Sequence, residues 1–103
     1  MAKIIFSKTA KFDLKEIIEY IKRDSIRYAS LEKRKIIEAI DQLPKQPFIG
    51  RIVPELNDEN FREFIFRNYR IIYQIISENQ INILTIHYHS RLITNNPAFK
   101  PEE

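Results

Sequence analysis

The sequence predicts a single α+β domain, in which an opening strand and a two-helix antiparallel hairpin pack on a twisted antiparallel sheet in the order β-α-α-β-β-β. Three observations support this fold class. The chain has 103 residues, the size of one small domain, and 44% of them are apolar, which is enough for a core. Two helical stripes of apolar residues precede a second half rich in Ile, Tyr and Phe. The single Gly argues against a sandwich or barrel with many tight turns.

The first half predicts a strand followed by two helices. Residues 2–6 form a short apolar run that is typical of an opening strand. Ser7 or Thr9 can cap the first helix, and Asp13 is early enough to favour the positive end of its dipole. The sequence Asp24-Ser25 ends this helix and offers a cap to the next one. The helical stripe consists of Ala10, Leu14, Ile17, Ile18 and Ile21.

The second helix has its own apolar stripe, and its charged run at residues 32–35 is expected largely on the outer, solvated face. Pro44 and Pro47 end the helix, because proline cannot continue the hydrogen-bond ladder. The short connection between the helices predicts an antiparallel hairpin. The apolar stripe consists of Ala29, Ile36, Ile40 and Leu43.

The second half predicts three consecutive strands. Residues 61–67, 69–76 and 81–89 combine aromatic and β-branched residues, with turns at Asn68 and at residues 78–80. Strands joined by such short turns pair antiparallel, and Tyr69 and Tyr73 are expected in the core. We therefore predict one domain over residues 1–93. Residues 94–103 contain two prolines and are expected to form an extended or loose tail.

The composition excludes several functions. With no Cys there is no disulfide framework, thiol nucleophile or cysteine zinc site. A single Gly excludes a glycine-rich nucleotide loop, so no cofactor is expected. His87 and His89 share a strand face, but no third ligand accompanies them, so no metal is expected. No segment resembles a signal peptide or a membrane span, and we expect a cytoplasmic protein.

Charged residues of the second half could form a catalytic surface. The net charge of +3 is too small to indicate a nucleic-acid partner, but five arginines lie beyond residue 50 with one lysine. Paired strands could collect the residues Glu55, Arg62, Arg70, His89 and Arg91. An acid, arginines and a histidine are the groups that metal-free RNA cleavage uses. The alternative is that Glu55 forms a surface ion pair with Arg51 or Arg62, and that each histidine is structural.

The order and spacing of five motifs resemble those of one known family over residues 4–92. After the opening strand they are Ala10-x-x-Asp13-Leu14-x-x-Ile17-x-x-Tyr20-Ile21, Gly50-Arg51-x-x-Pro54-Glu55, Phe61-Arg62-Glu63, Tyr69-Arg70-Ile71-Ile72-Tyr73 and Ile86-His87-Tyr88-His89-Ser90-Arg91. The chain resembles the RelE/ParE superfamily of bacterial toxins. The resemblance implies a toxin of a type II toxin–antitoxin module that is neutralised by a cognate antitoxin in a hetero-oligomeric complex.

The resemblance implies one of two targets. RelE-like and YoeB-like toxins cleave mRNA on the ribosome, and ParE-like toxins poison DNA gyrase. On the YoeB-like match, Glu55 is the general base, Arg70 stabilises the phosphate and His89 is the general acid. Residues expected to contact the nucleic acid are Arg51, Arg62 and Arg91.

The candidate catalytic residues Glu55, Arg70 and His89 favour mRNA cleavage as the activity. The alternatives are a gyrase inhibitor without enzymatic activity, which the Gly-Arg-x-x-Pro-Glu motif resembles most, and an inactive toxin that serves as a binding module. The family also implies an acidic antitoxin segment along the helix hairpin and the arginine-lined sheet face, where it would pair with Arg62 and Arg70.

Overall fold

The computed structural model describes residues 2–88. These residues form two helices and five strands, which confirms the predicted α+β class. The residues His89 and Arg91 and the predicted tail 94–103 lie outside the described range. The elements are β1 (Lys3–Phe6), α1 (Lys8–Lys22), α2 (Ile26–Ile40), β2 (Arg51–Ile52), β3 (Phe61–Phe66), β4 (Tyr69–Ser77) and β5 (Gln80–Tyr88).

The five strands form one sheet in the order β1-β5-β4-β3-β2. Strands β2 to β5 pair antiparallel, as the short connections predict, but β1 pairs parallel with β5. The sheet is therefore mixed. The two residues of β2 are too few to show an alternating pattern, and this strand was not predicted from the sequence.

Serine caps begin both helices at the positions that the sequence predicts. The hydroxyl of Ser7 accepts a hydrogen bond from the Ala10 amide at 3.0 Å and donates one to the Leu84 carbonyl at 2.8 Å. The hydroxyl of Ser25 accepts from the Tyr28 amide at 3.0 Å. Because Ser7 also contacts β5, the start of α1 is attached to the sheet.

The core lies between the hairpin and one face of the sheet, and the apolar stripes of both helices line it. Tyr69 and Tyr73 are buried in this core, as predicted. Burial of this apolar surface provides the main driving force for docking the hairpin. The buried core cluster contains Ala10, Leu14, Ile17, Ile36, Ile40, Leu43, Tyr69, Ile71, Tyr73, Ile81, Ile83 and Ile86.

Two acidic residues of the helices contact the sheet, which the sequence did not predict. Glu32 was expected on the solvated face of α2, but it is 4% exposed and binds Arg67 Nη1 at 2.6 Å. Asp13 lies beyond the first turn of α1, and its Oδ2 accepts from Thr85 Oγ1 at 2.6 Å and from the Ile86 amide at 3.0 Å. Asp13 therefore fixes α1 to β5, and Glu32 fixes α2 to the turn between β3 and β4.

No helix within residues 2–88 has the length and apolar character that a membrane crossing requires.

Candidate functional site

The strand register places charged residues on the sheet face opposite the helices. Arg51 lies opposite Glu63, and Arg70 lies opposite both Ile65 of β3 and His87 of β5. Directly paired residues share a face of the sheet. We call the group formed by Arg51, Glu55, Glu63 and Arg70 the arginine–glutamate cluster.

Glu63 is the centre of this cluster. Its side chain is fully buried, and its two oxygens bind different arginines. Oε1 accepts from Arg70 Nε at 2.6 Å and also contacts Arg70 Nη2, while Oε2 accepts from Arg51 Nε. Burial alone would raise the pKa of Glu63, but the hydrogen bonds and charges of Arg51 and Arg70 outweigh it and hold the pKa below its ordinary value. The carboxylate is therefore a charged link between β2, β3 and β4.

The carboxylate of Glu63 binds Arg70 and holds its side chain against the sheet. The Arg70 side chain is only 15% exposed, and its Nη2 lies 3.4 Å from Oε1 of Glu55 in addition to the contacts with Glu63. Two carboxylates therefore offset the charge of this guanidinium. An arginine in such a position holds the strands together, and its guanidinium is directed at carboxylates of the protein.

The residues predicted from the sequence divide into three groups. The structure brings Glu55 and Arg70 together, with Arg51 joined to them through Glu63. Glu55 lies in the turn at residues 54–56 and is 69% exposed, which leaves its carboxylate open to solvent. Arg62 does not join the cluster. His89 and Arg91 are outside the described residues.

Arg62 stabilises the connection before β2 instead. It pairs with Tyr73 in the sheet, so that it lies on the other face from Glu63. Its Nη1 donates to the Gly50 carbonyl at 3.1 Å, its Nε donates to the Glu59 carbonyl at 2.8 Å, and its guanidinium covers the Phe48 ring at 4.8 Å. Through these contacts Arg62 orders the loop that precedes β2.

Tyr73 fixes the same loop from the core side. Its hydroxyl donates to the Pro47 carbonyl at 2.7 Å and accepts from the Gly50 amide at 3.1 Å. Burial raises the pKa of Tyr73, although the Gly50 hydrogen bond and the charge of Arg62 oppose this shift, so the hydroxyl remains a donor. Position 50 requires glycine for steric reasons, because a Cβ there would lie 2.5 Å from the Glu63 carbonyl oxygen.

Glu63 and Tyr73 are the residues whose roles the sequence did not reveal. Glu63 stands in the sequence only as part of the motif Phe61-Arg62-Glu63, and its two partners lie 12 and 7 residues away along the chain. A charged residue between aromatic residues in a predicted strand was the available signal. Recognising its role required the strand register. Within residues 2–88, no group of three or more potential ligands is close enough to hold a metal ion.

The fold defined by these elements also occurs in a solved toxin–antitoxin system. The structure is similar to a chain of the "Chromosomal ParDE TA system from P. aeruginosa", with a TM-score of 0.71 and 18% sequence identity over 87% of this chain and 98% of that one. This likeness concerns the fold.

The family follows from the sequence itself. A family model described as "ParE toxin of type II toxin-antitoxin system, parDE" matches residues 4–93. The chain belongs to this family, which confirms the predicted membership of the RelE/ParE superfamily. No curated protein matches the sequence.

Proposed function

We propose that this toxin acts on DNA gyrase by binding to it, and that it cleaves no RNA. The chain is a toxin of the type II class through its family, and the ParE branch is the one for which the family resemblance implies gyrase as the target. We further propose that it acts in the cytoplasm and is neutralised there by a cognate antitoxin.

The observation that carries this proposal is the binding of Arg70 to buried Glu63. Metal-free RNA cleavage needs a positive charge that is directed at the phosphorane as negative charge develops there. The Arg70 guanidinium is directed at Glu63 instead and also contacts Glu55. The charge that the mRNA-cleavage hypothesis assigns to the phosphate is therefore already paired with carboxylates of the protein.

Tyr69 and Tyr73, which flank Arg70 in the motif, belong to the fold. Both tyrosines of the Tyr-Arg-x-x-Tyr motif are buried in the core, and the Tyr73 hydroxyl is occupied by Pro47 and Gly50. Together with Arg70, all three motif residues have structural partners within the chain.

Induced expression in a bacterial host tests the proposal. Protein synthesis, transcript integrity and chromosomal DNA breaks are followed in the same culture. We expect DNA breaks and filamentation while transcripts stay intact, and inhibition of supercoiling when the purified chain is mixed with gyrase. A rapid arrest of protein synthesis with transcripts cut inside reading frames would contradict the proposal. A folded chain that leaves growth unchanged would indicate an inactive toxin.

A variant separates binding from acid–base chemistry. Glu55→Ala combined with His89→Ala removes both proposed proton-transfer groups, and Glu59→Ala is a matched exposed control. We expect the double variant to arrest growth as the wild type does. If it folds and is no longer toxic while Glu59→Ala is, RNA cleavage is the better explanation. The antitoxin is then identified as the protein whose co-expression with the wild-type chain restores growth.

A further inference from the structure

The excess positive charge of the chain lies on the helix hairpin. Residues 8–40 contain nine Lys and Arg against six Asp and Glu, an excess that equals the net charge of +3 of the whole chain. Two of those six acids, Asp13 and Glu32, are directed at β5 and at the turn between β3 and β4. The outer surface of the hairpin is therefore more positive than the net charge of the chain indicates.

Four lysines of α1 form one row, which we call the lysine stripe: Lys8, Lys11, Lys15 and Lys22. Their spacing of three, four and seven residues keeps them on one face of the helix, and at a rise of about 1.5 Å per residue the row is about 21 Å long. All four residues are exposed. Among residues 2–88, the ion pair of Lys22 with exposed Glu19, at 3.6 Å, is the only one that the stripe forms. Such a surface pair is weak, so the stripe keeps most of its charge.

The surface beside the stripe adds to its positive charge. Lys33 of α2 lines the same open groove as Lys11, Lys15 and Lys22. Glu19 is the single acid among the described residues that line this groove. The arginines of the arginine–glutamate cluster, in contrast, bind carboxylates of the chain itself. The lysines on this side of the hairpin are therefore available to an external polyanion.

The side chains of the stripe fit a phosphate backbone and not the edges of bases. The lysine ammonium is a compact point charge on a flexible stem, and it contacts phosphate without a fixed geometry. Duplex DNA carries one negative charge per about 1.7 Å of its axis, so a row of lysines about 21 Å long can contact several phosphates at once. The stripe contains no Arg, Asn or Gln, the side chains that form paired hydrogen bonds with bases. Such binding depends on charge and not on base sequence.

We infer that the lysine stripe binds the phosphate backbone of duplex DNA held by gyrase, so that the toxin contacts the enzyme and its DNA together. The inference rests on the proposed function for the presence of gyrase. Duplex DNA is the polyanion on which this proposed target acts, and its charge is complementary to the stripe. The contact with DNA adds affinity to the complex of toxin, gyrase and DNA.

Removal of charge from the stripe tests the contact with DNA. Lys11→Gln with Lys15→Gln is compared with Lys3→Gln and Lys45→Gln, an exposed pair that is not on the stripe, does not line the groove and loses the same charge. Fluorescence anisotropy measures the binding of each purified toxin to short linear duplexes of two unrelated sequences over a range of salt concentrations. We expect the wild-type affinity to fall with salt with a logarithmic slope of about −3 to −4 on both sequences, and the slope of the stripe variant to be smaller by about 2. The control pair should keep the wild-type slope.

Binding to gyrase with and without DNA tests the contact in the proposed complex. We expect an added linear duplex to strengthen the binding of wild-type toxin to gyrase by about tenfold or more. The stripe variant should lose this gain and bind gyrase alone as the wild type does. Lys and Gln have similar helix propensities, so the variants should fold, and circular dichroism checks this.

Three results would overturn the inference. These are equal salt slopes of the stripe and control variants, no gain in affinity when DNA is added to gyrase, and weaker binding of the stripe variant to gyrase alone. The last result would make the stripe a contact with protein. Failure of the wild-type toxin to inhibit supercoiling would instead overturn the proposed function.

Discussion

Arg70 of β4 reaches diagonally to the neighbouring strand β3 to bind Glu63, with its Nε 2.6 Å from Oε1, although the direct partner of Glu63 on β4 is Ile72. Arg51 binds the second oxygen of the same carboxylate from β2. One buried charge therefore joins three strands. We therefore expect replacement of Glu63 to disturb more of this sheet face than replacement of any other residue there.

Replacing Glu63 by Ala should destabilise the fold by about 3–5 kcal/mol, because Arg70 keeps its charge at a mostly buried position without its main partner. The free energy of unfolding is measured by urea denaturation. Glu59→Ala removes an exposed acid from the same strand region and should change that energy by less than about 0.5 kcal/mol. Similar losses in both variants would show that Glu63 is not the link described here.

The pH dependence of stability should also identify Glu63. Its pKa in the folded chain is lowered from an ordinary value of 4.5, so its stabilisation is fully present above that value and is lost as the pH falls through the folded pKa. Unfolding midpoints between neutral pH and about pH 3 measure this effect. Glu63→Gln should lower stability at neutral pH and flatten its decline in acid. An unchanged acid profile in this variant would contradict the assignment.

Gly50→Ala should destabilise the connection before β2 by about 1–3 kcal/mol, since the added methyl group overlaps the Glu63 carbonyl and the Tyr73 hydroxyl.

Tyr73→Phe removes the hydroxyl that binds Pro47 and Gly50 and should lower the free energy of unfolding by about 1–3 kcal/mol, because polar groups are left unpaired. Chemical denaturation measures both. Gln46→Ala, at a nearby exposed position, is the control.

Asp13→Ala should loosen α1 from β5 and cost about 1–3 kcal/mol, because Thr85 Oγ1 and the Ile86 amide lose their acceptor. A double-mutant cycle with Thr85→Val measures the coupling between the two side chains, which we expect at about 0.5–3 kcal/mol. Asp24→Ala removes an exposed carboxylate and should be close to neutral. Strict additivity in the cycle would mean that the Asp13–Thr85 hydrogen bond contributes nothing.

The fold was largely predictable because its elements depend on local patterns. The caps at Ser7 and Ser25 and the buried Tyr69 and Tyr73 follow from spacing within a few residues. The parallel pairing of β1 with β5 depends on residues more than 70 positions apart, and local periodicity carries no information about it.

The candidate site was predictable only in part, for the same reason. Glu55 and Arg70 lie close together, as expected, but Glu63 was missed because its partners become visible only in the register of three strands. The helical pattern places Glu32 on the solvated face, because its partner, Arg67, is 35 residues further along the chain. The assignment of Glu55, Arg70 and His89 to catalysis and of Arg51, Arg62 and Arg91 to nucleic-acid contacts stays a prediction.

The pairing of β1 with β5 also has a consequence for the newly made chain. The bond from Ser7 to Leu84 spans 77 positions, and the core side of the hairpin is covered only when β4 and β5 are in place. Contacts of such long range form late, after the intervening chain has been synthesised. A ribosome that stops before β5 releases a product without this core, so premature termination yields no finished toxin. The cell therefore meets the assembled sheet and hairpin only after β5 has left the ribosome.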